Sequence, residues 1–259
     1  MNLNEVVDNQ AYVRTTLLNQ VGTIEFFHPQ SNSMPSHQLQ ALAEAIEEFG
    51  EDPEVKVIVL QSAGQKAFCA GASFDELTKI DNEEDGLAFF SGFAHVINAM
   101  RKAPKFVVVR VQGKTVGGGV GIAAAGDYTF ATHAASIKLS ELAVGIGPFV
   151  VGPAVERKIG LSAFSQLTVN ATQFKDANWA LEKGLYAEIF ETIEEMDQSL
   201  DQLVQTLVKS SPEAMKNIKR IFWEGTENWD QLLIDRAKIS GTLVLSDFTR
   251  NAIAAFKTK

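Results

Sequence analysis

Val57-Ile58-Val59-Leu60 is a short run without a single polar position. A strand with one wet face alternates apolar and polar residues, so a run like this must be covered on both sides. Phe106–Val111 is a second such run, largely apolar, and each is followed by a glycine-bearing loop and a helical pattern. Strands that alternate with helices imply a mainly parallel sheet with the helices packed outside it. The expected class is therefore α/β, and a chain of 259 residues, 46% hydrophobic, has enough material for the core.

The rest of the chain extends this theme. Tyr12–Leu18 and Thr23–Phe27 alternate and read as a β-hairpin turning at Val21-Gly22. Ser36 is placed to cap a helix with Leu39, Leu42, Ile46 and Phe49 on one face and a stop at Gly50. The acidic stretch Asp81–Asp85 leads into a helix carrying Leu87, Phe90, Ala94 and Ile97. Polar residues 112–115 separate the second apolar strand from three glycines, and short strands are expected at Asp127–Ala131 and Ile137–Leu139. The repeating unit is strand, strand, helix, with no fixed sequence period. From about Glu194 the pattern is helical throughout. Ser211-Pro212-Glu213 starts one helix with an inner stripe of Met215, Ile218 and Phe222. A last helix carries Trp229, Leu233, Leu243 and then Ile253 and Phe256. This much apolar surface on a terminal arm fits either subunit contact or intrachain packing. The division expected is a core over 1–193 and a helical region over 194–259.

Two segments carry the chemistry. Lys66-Ala67-Phe68-Cys69-Ala70-Gly71-Ala72 and Gly117-Gly118-Gly119 both follow apolar strands, and both expose backbone N–H groups where glycine permits close approach. Two such loops suggest an oxyanion hole, in which fixed amides meet developing negative charge. Glu141 is the best candidate for a partner acid. Bordered by Leu139 and Leu142 at a strand end, its carboxyl is expected to be partly desolvated, which raises its pKa and suits it to proton transfer. The local sequence equally fits a surface glutamate at a strand-to-loop corner.

Charge and composition narrow the field. A net charge of −9 without a basic stripe argues against nucleic-acid binding. The four scattered histidines lack ligand-spaced partners, so no metal is expected. The single cysteine fits a reducing compartment, and no run approaches a membrane span. Met1–Glu5 has no basic or apolar leader character, and a cytoplasmic protein is expected. Gly119-Val120-Gly121-Ile122-Ala123-Ala124 also fits a dinucleotide fingerprint, but a polar segment separates it from its strand. Cys69 as a nucleophile has no evident activating histidine.

The two glycine segments, Val111-Gln112-Gly113, Gly126-Asp127, Ser140-Glu141 and the late Ala252–Phe256 stretch occur in the order found in the crotonase (enoyl-CoA hydratase/isomerase) superfamily, which the chain resembles over nearly its whole length. The resemblance implies a spiral of ββα units with a C-terminal helical trimerisation region, assembled as a homotrimer or dimer of trimers. It implies an acyl-CoA thioester as substrate, coenzyme A entering only as part of that substrate and no separate cofactor. Ala72 and Gly118 would supply the oxyanion amides and Glu141 the proton-transfer carboxylate. The segment Lys66, Ala67, Phe68 and Ala70 would flank the adenine, with Lys66 and a neighbouring subunit's Lys257 near the phosphates.

Three positions depart from the family pattern. Gly121 stands where hydratases of the family carry a first glutamate. Phe149 and Val150, in Gly147-Pro148-Phe149-Val150-Val151-Gly152, would reshape the acyl pocket. Ser73 replaces a usual aspartate and has no assigned role. A single glutamate favours double-bond isomerisation over hydration. The alternatives are a non-catalytic acyl-CoA-binding oligomer and an acyl-CoA hydrolase.

Overall fold

The computed structural model describes residues 10–257, with side chains through Ala255. Met1–Glu5 and the side chain of Lys257 lie outside the described part. The hairpin forms from β1 (Tyr12–Leu18) and β2 (Val21–Phe27), with Leu18 opposite Val21. Its turn is Asn19-Gln20, both left-handed at φ 50° and 67°, a geometry that matches the twist of the flanking strands. Val21 and Gly22 therefore belong to the strand, not to the turn. Gly22 lies where a Cβ would come within 2.5 Å of the Phe49 ring.

Three strand pairs follow: β3 (Val57–Ser62) with β4 (Ala67–Cys69), β5 (Phe106–Val111) with β6 (Lys114–Val116), and β7 (Tyr128–Thr132) with β8 (Ile137–Lys138). The first strand of each pair joins a six-stranded sheet of order β1-β2-β3-β5-β7-β9, closed by β9 (Glu188–Phe190). The second strand of each pair forms a small sheet, β4-β6-β8. Among the described residues the strands after the hairpin pair in parallel, and an isolated antiparallel bridge joins Ile137 to Lys175. This is the strand-strand-helix spiral. The segment expected as a polar link is in part the strand β6. It is held there because Lys114 N donates to Lys66 O and Thr115 N to Ser136 O. Gly113 makes the approach possible, since a Cβ on it would lie 2.5 Å from Lys66 O.

Helices cover the sheets. α1 (Ser36–Glu51) buries Leu39, Leu42, Ile46 and Phe49 as expected but passes through Gly50. Pro35 precedes it in the capping position, and the N and Oγ of Ser36 donate to Glu76 Oε2 instead. Ser73 caps the single turn α2 (Phe74–Leu77) by accepting from Glu76 N, which gives this residue a structural role. α3 (Glu83–Lys102) has acids in its first turn and Arg101 and Lys102 in its last, both favourable to the helix dipole. α4 (Gly118–Ala125) is buried at every position.

α5 (Gly152–Val169) kinks at Gly160, and α6 (Ala177–Glu182) and α7 (Ile193–Val208) follow, the last with a Thr192–Glu195 capping box. Ser211 caps α8 (Pro212–Phe222) as expected, but only Met215 of its predicted stripe is buried. Ile218 and Phe222 are exposed because the helix turns Lys219 inward to Asp127. The expected last helix is two, α9 (Trp229–Leu243) and α10 (Asp247–Lys257). α9 lays Trp229, Leu233 and Ala237 into the main core, where each large apolar side chain contributes on the order of 1.5–3 kcal/mol.

Candidate active site

The site lies where the ends of β4 and β6 meet. Beyond β4 the chain turns at Gly71, whose φ of 93° suits glycine. Met34 N donates to Gly71 O at 2.8 Å and Ser73 N to Met34 O at 3.1 Å. These bonds pin both neighbours of Ala72, whose own N–H has no backbone acceptor among the described residues. Beyond β6, Gly117 (φ 54°) donates to Lys138 O and its carbonyl accepts from Val120 N. Gly118 N–H is left at the open N-terminus of α4, where helix amides have no internal partner. The two loops touch: a Cβ on Gly71 would lie 3.8 Å from Gly118 N. Gly118 must be glycine, because a Cβ there would overlap the Phe93 ring.

Ala72, Gly118 and Glu141 line one cavity of about 730 Å³, its open mouth included. Glu141 begins a 3-10 turn, Glu141–Val144, that ends at left-handed Gly145. The residue is partly exposed, yet its Oε2 is buried and has no hydrogen-bond partner among the described residues. Burial pushes its pKa up to about 7, against a lowering contribution from its own backbone N–H. Gly117 lets the carboxyl approach the glycine loop, since a Cβ there would sit 3.1 Å from Glu141 Oε1. Leu142, expected as an apolar border, is 49% exposed. The apolar surroundings come instead from Val144, Ile146 and the 148–151 segment.

The other sequence candidates divide. Phe149 and Val150 line the cavity, as does Ala70. Phe68 points into the core, edge-on to Phe26 at 5.5 Å, so its side chain is not on the cavity wall. Ala67 O accepts from Asn32 and Gln112 side chains, and Lys66 is exposed. Val151 fills the space beside Gly121: a Cβ on Gly121 would be 2.5 Å from Val151 Cγ1. The two departures read separately in the sequence are thus one packing arrangement. Gly119 likewise abuts Cys69, so both glycines of the dinucleotide-like motif face side chains rather than a ligand. Cys69 is buried, and burial pushes its thiol up to about 12, which disfavours a nucleophilic thiolate.

Sequence reasoning did not single out Phe93 or Ser240, which also line the cavity. Phe93 lies on the helical stripe of α3 and was within reach of periodicity. Ser240 comes from α9 by a long-range crossing that leaves no local signal. Among the described residues no group of three or more His, Cys, Asp or Glu is placed to hold a metal, and no helix is long and apolar enough to cross a membrane.

A sequence profile of the family described as enoyl-CoA hydratase/isomerase matches residues 17–254. The short-chain-enoyl-CoA hydratase of Clostridium acetobutylicum is 28% identical over 230 residues, covering 88% of this chain and 87% of its own. Human mitochondrial methylglutaconyl-CoA hydratase is 29% identical over 235 residues, 88% of this chain and 68% of that protein. Carnitinyl-CoA dehydratase of Salmonella enteritidis is 30% identical over 194 residues, 75% of this chain and 73% of that one. The solved structure of an enoyl-CoA hydratase from Bacillus halodurans shares the fold, with a TM-score of 0.87 over 94% of this chain and 99% of that one at 21% identity. With a matched profile over almost the whole chain and relatives that act on CoA thioesters, the protein belongs to the enoyl-CoA hydratase/isomerase family of the crotonase superfamily.

Proposed function

We propose that the protein moves a double bond within an acyl-CoA thioester, using Glu141 as the single proton carrier. The thioester oxygen accepts from Ala72 N–H and Gly118 N–H, and the positive end of α4 favours the enolate that forms. Glu141 takes a proton from one carbon and returns it to another, so one carboxylate serves both transfers. A pKa of about 7 matches this double duty, since the group is then half ionised near neutral pH. The observation that carries the reading is the buried, unpartnered Glu141 Oε2 in the same cavity as two amides without backbone acceptors. Glu141 is the only ionisable side chain on the described cavity wall, and Val151 occupies the space a side chain at 121 would need.

Coenzyme A would run past Ala70 and the Lys66–Phe68 segment, and no further cofactor takes part. Exposed Ile218, Ile221, Phe222 and Phe248 support assembly into a trimer or dimer of trimers, which size-exclusion chromatography with light scattering would read. The test of the reaction is incubation with 2-enoyl-, 3-enoyl- and 3-hydroxyacyl-CoA esters, followed by absorbance and mass. Interconversion of 2- and 3-enoyl esters at constant mass is the expected result. Gain or loss of one water assigns hydration instead, release of free coenzyme A assigns hydrolysis, and binding without turnover assigns a non-catalytic protein.

A further inference from the structure

Ser240 lies on the cavity wall but belongs to α9, far along the chain from the glycine loops. It is brought there by a close helix crossing. A Cβ on Gly86 would lie 2.8 Å from Gly241 Cα, and one on Gly241 would lie 2.9 Å from Gly86 C. Asn98 Nδ2 donates to Trp229 O near the other ends of the two helices, so α9 runs antiparallel to α3. That register sets Ser240 level with Leu87, about 9 Å along α3 from Phe93 at 1.5 Å per residue. The Phe93 ring abuts Gly118. Ser240 is therefore set off along α3 from the Phe93–Gly118 contact, on a cavity wall that also carries Leu77 and Phe90.

Its hydroxyl is out of place in such company. Ser240 is 1% exposed. Ser91, Thr168 and Thr206, also in helices, each donate to the carbonyl four residues back. No such bond joins Ser240 to a carbonyl among the described residues, and its Oγ is not one of the fully buried unpartnered atoms, which fits a hydroxyl that reaches the cavity space. A hydroxyl on a cavity wall without a protein acceptor is available to a ligand oxygen, for which it can act as donor or acceptor. The described wall carries no lysine, arginine or histidine, and its one acid is Glu141, so a charged group would find no counter-ion here.

We infer that Ser240 is a specificity residue that hydrogen-bonds a neutral oxygen, a hydroxyl or carbonyl, on the distal part of the acyl chain. The substrate class is then an oxygenated acyl-CoA rather than a plain hydrocarbon one. This inference rests on the acyl-CoA reading above. The test compares two enoyl-CoA esters of equal length, one bearing a distal hydroxyl, on the full-length protein and on Ser240→Ala. The wild type is expected to favour the hydroxylated ester in kcat/KM by about tenfold, the scale of one neutral hydrogen bond. In Ser240→Ala that ratio collapses to within about twofold. A ratio of two substrates on one preparation does not depend on how much of the variant is folded. A wild type without preference, or a variant that keeps the preference, overturns the role of Ser240 and leaves the acyl-CoA reading standing. Failure of both esters to bind the wild type overturns both.

Discussion

Asp127 and Glu141 stand at opposite ends of α4, and the protein treats them differently. Asp127, just past the C-terminus, is saturated with donors. Its Oδ2 accepts from Val107 N at 2.7 Å and from Lys219 Nζ at 2.9 Å, and its Oδ1 accepts from Trp223 Nε1 at 3.3 Å. Lys219 is almost wholly buried with it and also donates to Lys105 O, while Lys158 donates to Gly126 O at the helix end. Burial pulls the Lys219 pKa down and the neighbouring aspartate works against that pull. Glu141 faces the N-terminal end, and its Oε2 has no donor among the described residues. One acid has both oxygens occupied by donors. The other keeps both states within reach, because burial disfavours its charge more than its own backbone N–H repays. Full pairing builds the fold, and withheld pairing leaves a group free for chemistry.

Removing each acid's function should separate these roles. Glu141→Gln is expected to lower turnover by about 10²–10⁴, the range for a lost general base, with little change in thioester affinity. Steady-state kinetics with equilibrium binding read this, and a variant of normal activity would undo the contrast. Lys219→Met should cost about 3–5 kcal/mol of stability by stranding a buried charge. Denaturant unfolding reads that loss. A cost near zero would mean the pair is not buried as described.

The two acids were also unequally legible. Asp127 could be read only as part of a motif, since Lys219 sits 92 positions away and had been hidden inside a predicted apolar stripe. Periodicity makes a lysine in a helix outward-facing by default, and only the tertiary acid turns it in. Glu141 was found because local apolar neighbours and two glycine loops point to one chemistry. Even so, its burial comes from Val144 and the 148–151 segment rather than from Leu142. The parallel sheet was visible because doubly covered strands have no polar positions. The second sheet was visible only in part: β8 lies within the strand expected at Ile137–Leu139, whereas β4 and β6 have three residues each and Lys114 disguises β6 as a loop. Ser240 and the Gly121–Val151 contact depend on helix crossings and loop packing that no local window contains.

The unpaired acid should also leave a signature on stability. The carboxyl pKa is about 7 in the folded protein against 4.5 for the free group. Between those values the native state holds a proton that the unfolded chain has released, so stability falls as pH rises. The contribution is complete below the unfolded value and lost as pH passes through about 7, amounting to roughly 3 kcal/mol in total. Glu141→Gln should therefore be inactive yet more stable than the wild type at pH 8, by up to about 3 kcal/mol. Its unfolding free energy should also vary less between pH 5 and 8. An unchanged pH profile would mean that the carboxyl is solvated in the free enzyme, and that its difference from Asp127 is smaller than its geometry implies.

The contrast finally depends on Glu141 remaining alone, and Val151 guards that condition. Gly121→Ala places a methyl 2.5 Å from Val151 Cγ1 and 2.6 Å from Val151 Cβ, and overpacking of this kind costs about 1–3 kcal/mol. Val151→Gly removes both clashing atoms at the expense of a small cavity. If the two positions are one packing unit, the double variant should be more stable than the sum of the single effects predicts, by at least about 1 kcal/mol in a double-mutant cycle. Additive costs would show that the loop yields independently. Position 121 would then be open to a larger side chain, including a second acid, and the one-carboxylate site would be a matter of residue identity at 121 alone rather than of the way the 148–151 segment packs.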